Sequence, residues 1–265
     1  MSLSLIWAFV RRDLRIAASY PVNFLFILAS GLITLTVFYF LAKTIGEPAT
    51  LQRFGLDYFS FALIGIAIAT CLRAMQTSFA SRVREAQTDG SLEMLLAAPL
   101  LTFQVVGCLA IYPVASAFLR SLALVLCGSF LGAHLALDPL AFVGTLVVSM
   151  IPFAALGLIS AAFVLVFKRA DPFAFALDAA SYLLCGVIYP VEVLPPALQW
   201  ASKLLPATYA IRALRDSGLK SAGVAQVLPA WGALAVFAIV LWPAAAAALA
   251  WARRRAERTG TLPQW

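Results

Sequence analysis

The sequence predicts an all-α integral membrane protein with six transmembrane helices, an amphipathic interfacial helix at the N-terminus, and a re-entrant pair of extracellular helices before the last span. Composition is the first reason, because 63% of the 265 residues are hydrophobic and 12% are charged, whereas soluble domains are about 45–50% apolar and about 25% charged. The second reason is that six apolar runs reach the roughly 20 residues that a helix needs to cross a bilayer. Because the loops between the runs are short, we expect one transmembrane domain over residues 1–265.

Residues 1–19 predict the interfacial helix. Apolar residues recur at spacings of four, three and four from Leu3 to Leu14, whereas the neighbouring arginines fall on the other helical face. This pattern is typical of a helix that lies in the plane of the membrane interface. A cleavable signal peptide is not expected, because Arg11, Arg12 and Arg15 follow the first apolar residues instead of preceding them.

The apolar runs predict the spans, and prolines separate them from a further apolar segment, 191–212. That segment and its border contain four prolines, which one straight helix cannot accommodate. Non-helical backbone at membrane depth is tolerated where protein or a water cavity covers it. We therefore expect 191–212 to form two short helices that dip back into one leaflet. The predicted spans are 22–42, 58–78, 101–132, 140–167, 173–190 and 228–251.

The distribution of Lys and Arg predicts the orientation. If the N-terminus is cytoplasmic, twelve basic residues belong to the inside segments, six belong to the outside segments, and Arg120 lies within a span. We therefore expect both termini, and the polar region 79–100, on the cytoplasmic side. Because the basic residues cluster at the ends of apolar runs, their expected partners are membrane lipids and not nucleic acid. The inside set is Arg11, Arg12, Arg15, Arg73, Arg82, Arg84, Lys168, Arg169, Arg253, Arg254, Arg255 and Arg258, and the outside set is Lys43, Arg53, Lys203, Arg212, Arg215 and Lys220.

Region 79–100 interrupts the apolar sequence with a cluster of charges from Arg82 to Glu93. Gly90 can act as the N-cap of a short helix, with Glu93 at the third helical position reaching back to it. Two interpretations remain open from these residues alone: a solvated connecting loop, or a docking element for a cytoplasmic partner. Three leucines share one face of the short helix: Leu92, Leu95 and Leu96.

Two motifs in the chain resemble those of type-2 ATP-binding-cassette (ABC) exporter permeases. The first is Glu85-x4-Gly90-Ser91-Leu92-Glu93-x-Leu95-Leu96-x2-Pro99-Leu100, which is similar to the E-x4-G-[TS]-L-E-x-L-x3-P pattern of that family between spans two and three. The second combines Tyr189-Pro190 and Leu194-Pro195 with Leu205-Pro206-x2-Tyr209-Ala210-x4-Arg215, which is similar to the re-entrant segment of that family before the last span. Some members lack an acid at the position of Glu93, and some carry Thr at that of Ser91, so these exact side chains are not required.

The resemblance implies the membrane subunit of a half-size bacterial ABC exporter in the cytoplasmic (inner) membrane. Two permeases, identical or related, would pair, and separate ABC ATPase subunits would dock beneath them and bind ATP and Mg. This chain would hold no cofactor, and its sequence contains no Walker A pattern, G-x4-G-K-[ST]. The cargo could be a drug, a lipid, a peptide or a lipid-linked glycan. The implied ATPase-coupling residues are Arg84, Glu85, Gly90, Ser91, Leu92, Glu93, Leu95 and Leu96, and the implied outer-gate residues are Tyr189, Pro190, Leu194, Pro195, Pro206 and Tyr209.

Two charged residues stand out as candidate intramembrane charges, Arg120 in predicted span three and Asp178 in predicted span five. An ionisable residue inside the membrane is energetically expensive and points to a function. Four interpretations remain open: an Arg120–Asp178 pair, a carboxylate at the mouth of a cytoplasmic cavity, solvation by snorkelling or cavity water, and a role in helix packing alone.

No catalytic set is recognisable in the sequence, so we do not expect an enzyme. The single histidine, His134, is predicted at the surface after span three. The cysteines Cys71, Cys108, Cys127 and Cys185 lie in apolar stretches without CxxC spacing, so neither a metal site nor a disulfide framework is expected. The remaining alternative is a stand-alone channel or secondary transporter, which would use more intramembrane charge than Arg120 and Asp178 supply.

Overall fold

The computed structural model describes Arg11 and residues 21–45, 57–88, 102–167 and 172–258. These residues form eight α-helices and one 3-10 turn, and no β-strand occurs in the part of the chain that the structure describes. The predicted all-α class is therefore confirmed. The helices are α1 (Pro21–Ile45), α2 (Tyr58–Thr88), α3 (Thr102–Phe130), α4 (Pro139–Phe167), α5 (Pro172–Leu184), α6 (Pro196–Ser202), α7 (Pro206–Leu219) and α8 (Val224–Arg258), with the 3-10 turn at Val191–Val193.

Three of the described helices are long and apolar enough to cross a membrane. They are α2 over Tyr58–Glu85, α4 over Pro139–Phe167 and α8 over Val224–Arg255. Shorter apolar stretches lie in α1, α3 and α5. The protein is therefore a multi-pass membrane protein. The predicted interfacial helix 1–19 lies outside the described residues, apart from Arg11, which is helical and exposed.

Helix α2 lies at the centre of the hydrophobic core. Its buried Ile64, Ile68 and Met75 belong to one cluster with side chains of α4, α7 and α8. The backbones of α2 and α4 also approach closely, because a Cβ on Gly157 would lie 2.8 Å from the Met75 carbonyl oxygen and 2.6 Å from Phe79. Small residues at such crossings are a general means of packing helices in membranes. The partners in the cluster include Leu146 and Phe153 of α4, Ile211 and Leu214 of α7, and Leu234 of α8.

Hydrogen bonds define which helix ends meet. In the turn between α3 and α4, the His134 N–H donates to Ser60 Oγ at the start of α2, at 2.8 Å. The Asp138 N–H donates to the Ser217 carbonyl in α7 at 2.9 Å. The starts of α2 and α4 and the end of α7 thus share one end of the bundle. At the other end, the last turns of α2, α4 and α8 pack through Val83, Leu165, Leu249 and Ala252.

In the predicted span five, 173–190, the helix is shorter than the predicted span, because α5 ends at Leu184. Gly186 has φ of 75°, a left-handed conformation that a helix cannot continue and that glycine adopts without strain. The predicted segment 191–212 does contain two short helices, but α7 continues to Leu219. Its first residue is Pro206, whose fixed φ and missing N–H suit the first turn of a helix.

Candidate functional site

The C-terminal end of α2 carries the described part of the predicted ATPase-coupling region. Arg84 and Glu85 are both exposed there, and Glu85 accepts a hydrogen bond from Arg82 Nη1 at 3.0 Å. With 31 residues, α2 is about 46 Å long, which exceeds the hydrocarbon thickness of about 30 Å. Its polar last turns therefore extend beyond the apolar part of the helix. The other predicted coupling residues lie outside the described residues: Gly90, Ser91, Leu92, Glu93, Leu95 and Leu96.

The predicted outer-gate residues lie together in the compact segment between α5 and α7. The Tyr189 hydroxyl donates to the Leu183 carbonyl, which ties the loop back to the last turn of α5. Leu194 offers its carbonyl to Gln199 Nε2 at 2.8 Å, and the Tyr209 hydroxyl donates to the Lys203 carbonyl at 3.2 Å. Side-chain-to-backbone hydrogen bonds thus hold the irregular backbone of this segment. Pro190 and Pro195 flank the 3-10 turn, and Pro206 is buried at the start of α7.

Arg215 of α7 anchors the segment to α2. Its Nη2 donates to the Val187 carbonyl at 2.9 Å, and both Nη2 and Nε donate to the Phe61 carbonyl at 3.2 and 3.3 Å. The guanidinium carbon also lies 3.4 Å from the centroid of the Phe61 ring, a cation–π contact. One side chain therefore joins α2, the loop after α5 and α7.

Gly65 makes this junction possible. A Cβ at that position would lie 2.1 Å from the Val187 carbonyl oxygen and 2.8 Å from Arg215 Nη2. The sequence does not identify Gly65 as a site residue, and it identifies Arg215 only as part of a motif and as a flanking charge. The sequence does contain a sign that Arg215 packs into the bundle. Arg215 follows Ile211 and Leu214 at helical spacing, on the face that α7 buries.

An ion pair connects α2 and α5 at the depth of the apolar helices. Arg73 Nε donates to Asp178 Oδ1 at 3.1 Å, and Arg73 Nη2 donates to Asp178 Oδ2, so the pair is bidentate. The Tyr182 ring lies beside the guanidinium, with its centroid 5.5 Å from the guanidinium carbon. The Arg73 side chain is 55% exposed and that of Asp178 is 22% exposed.

This ion pair overturns one of the interpretations that the sequence left open, because the partner of Asp178 is Arg73 and not Arg120. Arg120 instead donates to the hydroxyl of Ser116 at 2.8 Å and to its carbonyl at 3.3 Å. Arg73 also lies well inside α2, so it does not flank a span. Without it, the basic residues number eleven inside and six outside, and the predicted orientation is unchanged.

His134 is exposed, as predicted, and its side chain lies 3.9 Å from Asp57 at the start of α2. Its backbone, through the bond to Ser60, is what contributes to the fold. Across the described ranges, no three His, Cys, Asp or Glu side chains are grouped so that they could hold a metal ion.

A protein-family model described as "ABC-2 type transporter" matches residues 3–219, from the N-terminal segment to the last residue of α7. The chain belongs to the ABC-2 type transporter family. The resemblance drawn from the motifs at Glu85–Leu100 and Tyr189–Arg215 is thereby confirmed. As an ABC-2 protein, the chain is a permease component of an ABC transporter. A comparison with curated proteins gave no match.

Helix α8 follows the matched region but is an integral part of this ABC-2 permease. Its Leu234 is fully buried in the central cluster, and its Leu249 and Ala252 pack against α2 and α4. Trp231 Nε1 donates to Thr145 Oγ1 of α4 at 2.8 Å. The ring of Trp231 covers Gly144, where a Cβ would lie 2.8 Å from it.

Proposed function

We propose that this ABC-2 permease is the membrane subunit of an ATP-driven exporter in a bacterial cytoplasmic membrane. It spans the membrane six times, has both termini in the cytoplasm, and pairs with a second permease, either identical or related. Separate ABC ATPase subunits bind ATP and Mg and dock on region 79–100. The observation that carries the proposal is that α2 runs unbroken from the Arg215 junction to the polar residues Arg84 and Glu85.

The continuity of α2 supports a mechanical role. Its middle is packed on α4 through Met75 and Phe79, so a displacement at its polar end moves the helix as a rigid body. Near its other end, Phe61 and Gly65 contact Arg215 and Val187 of the outer segment, residues 185–219. A movement that begins at the coupling region therefore reaches the outer segment through one helix.

Six spans are supported by the helix lengths. Helices α1 and α3 contain 25 and 29 residues, which correspond to about 38 and 44 Å and exceed the hydrocarbon thickness. Helix α5 has 13 residues, or about 20 Å, so it crosses only with the help of the segment that follows it. The bond between Tyr189 and Leu183 holds that segment on the end of α5.

In the proposed cycle, ATP binding draws the two ATPase subunits together and moves the coupling regions. Helix α2 follows, the cavity between the two permeases changes shape, and the outer segment 185–219 opens. An amphipathic or lipid-linked cargo then leaves from the cytoplasm or the inner leaflet. Each step in the permease is a rigid-body movement of packed helices, which small shifts at one end can trigger.

The test is co-purification with an ABC ATPase encoded beside this chain. We expect the double variant Glu85→Ala with Leu95→Asp to lose the ATPase and vanadate-sensitive export. A matched control, Glu192→Ala with Leu198→Asp, makes the same changes on exposed positions of the outer segment and should retain the ATPase. Transport that continues without any ATPase would instead favour a stand-alone channel or secondary transporter.

A further inference from the structure

Helix α2 has one polar face along its C-terminal half. Five residues recur on it at spacings of three, four, four and three, and each is exposed or half-buried. The residues between them on the opposite face, such as Leu72, Met75 and Phe79, are buried in the helix bundle. The polar face consists of Thr70, Arg73, Thr77, Ser81 and Arg84.

The depth of this face indicates that it does not contact lipid tails. Arg73 comes 15 residues after Tyr58, where α2 begins, which corresponds to about 22 Å along the helix and lies within a hydrocarbon layer of about 30 Å. Charged groups at such depth face protein or a water-filled cavity, because exposure to acyl chains is too costly. In the proposed exporter, the polar face of α2 borders the hydrated cavity between the two permeases.

The Arg73–Asp178 pair presents its cation to this space. Asp178 engages Nε and one N–H of Nη2, and a guanidinium has five N–H donors. Among the described residues, no further hydrogen bond of this guanidinium is found, so three donors remain. Arg73 is the more exposed member, at 55% against 22% for Asp178. A ligand that approaches the pair therefore contacts the N–H donors of Arg73 before it contacts the carboxylate of Asp178.

Apolar and aromatic groups lie beside these donors. Phe175, Asp178 and Tyr182 follow one another at spacings of three and four, so they share one face of α5. Phe175 is 78% exposed, and the Tyr182 ring contacts the guanidinium. Cationic donors beside the Tyr182 ring, with the exposed Phe175 on the same face of α5 as Asp178, match a molecule with an anionic head and an apolar body.

We propose that Arg73 binds the anionic group, a phosphate or carboxylate, of an amphiphilic cargo, while Phe175 and Tyr182 contact its apolar part. The two hydrogen bonds from Arg73 to Asp178 orient the guanidinium. The Asp178 carboxylate also competes with the cargo for the guanidinium. The inference deepens the proposed export function, on which it rests, by naming the chemical class of the cargo.

The test uses the purified permease in phosphatidylcholine nanodiscs, without ATPase or ATP, and titrates dodecyl phosphate by calorimetry. We expect saturable binding that weakens at least tenfold in Arg73→Gln. Asp178→Asn should bind several-fold more tightly, because the competing carboxylate is gone. The matched control Arg212→Gln removes an exposed charge on α7 and should bind as the unaltered chain does.

Two further titrations decide the ligand class. Dodecyltrimethylammonium should not compete, and preferential binding of this cation would overturn the proposal in favour of a site centred on Asp178. Inorganic phosphate should compete only at concentrations at least a hundredfold higher than dodecyl phosphate. Equal competition would overturn the amphiphilic class, because it would show that the apolar part contributes nothing.

A charge exchange separates binding from folding. The double variant Arg73→Asp with Asp178→Arg retains an ion pair between α2 and α5, so its Tm should stay close to that of the unaltered chain. It places the carboxylate at the accessible position, so dodecyl phosphate binding should be lost. Equal binding by both forms would refute the role of Arg73. If anion binding fails while the ATPase still co-purifies, only the proposed class of cargo is wrong. If dodecyl phosphate binds but no ATPase co-purifies, the proposed exporter function is wrong and the anion site remains.

Discussion

The Val187 carbonyl oxygen occupies the space beside Gly65, 2.1 Å from the point where a side chain would begin. Helix α2 and the loop after α5 are thus in contact backbone to backbone, and Arg215 bonds to the same carbonyl.

Gly65→Ala should destabilise the permease, because the new methyl group collides with the Val187 carbonyl, a backbone group that cannot shift as cheaply as the end of a flexible side chain. Overpacking of this kind costs about 1–3 kcal/mol, and we expect a lower Tm in detergent together with loss of the Arg215–Val187 bond. Gly232→Ala is the control, since nothing lies within 4 Å of its added Cβ in α8. An equal Tm for both variants would mean that the loop is not held against α2.

Arg215→Lys should loosen the outer segment even though it preserves the charge. A lysine ammonium is a compact point charge and does not reproduce the planar fork that reaches the Phe61 and Val187 carbonyls together. Hydrogen bonds to charged groups contribute about 1.5–3 kcal/mol each, so amide exchange in 185–195 should accelerate at least tenfold. Arg212→Lys makes the same change at an exposed position of α7 and should leave exchange there unaltered.

Ser81→Pro should separate ATP hydrolysis from transport. Proline inside a helix removes a hydrogen bond and kinks it, at a cost of about 3 kcal/mol or more. Ser81 lies in the part of α2 between Phe79 and the polar end, so the variant should still bind the ATPase yet export at least tenfold less cargo per ATP. Ser81→Ala, which keeps the helix, should export normally. Normal coupling in the proline variant would show that α2 does not transmit the movement.

Thr145→Val should weaken the attachment of α8. It leaves the half-buried indole N–H of Trp231 without its acceptor, and the cost should approach the lower end of the range of about 1–3 kcal/mol for a fully buried donor. We expect a lower Tm and altered tryptophan fluorescence. Thr36→Val is the matched control, since the Thr36 hydroxyl donates to the Leu32 carbonyl of its own helix at an exposed position. Equal Tm values would indicate that the indole bond contributes little.

Much of the fold is encoded in local patterns that one sequence displays. Apolar runs predict α3 over 101–132 and α4 over 140–167, and the structure has these helices at Thr102–Phe130 and Pro139–Phe167. The prolines of 191–212 predict a broken segment. Pro206 is the first residue of α7, a position where proline is favoured. Hydrophobic length and proline position are properties of neighbouring residues, so these elements need no knowledge of tertiary contacts.

The contacts of the candidate site are not local, and the sequence reveals them poorly. Asp178 is recognisable as a costly charge, but its partner Arg73 is 105 positions away. The sequence instead offers Arg120 as a candidate partner, because Arg120 also lies within a predicted span. The end of α5 depends on the positive φ of Gly186, which hydropathy does not report. Gly65 is one of fifteen glycines, and only its distance to Val187 distinguishes it.

The junction at Arg215 has a consequence for how this protein can diversify. Its hydrogen bonds end on the main-chain oxygens of Phe61 and Val187, and every amino acid supplies such an oxygen. The anchor therefore constrains Gly65, Arg215 and the ring of Phe61, while it leaves an exposed side chain of the loop that follows, such as Val193, free to change. Related permeases could alter the chemistry of their outer surface for different cargo and still hold that surface in the same place.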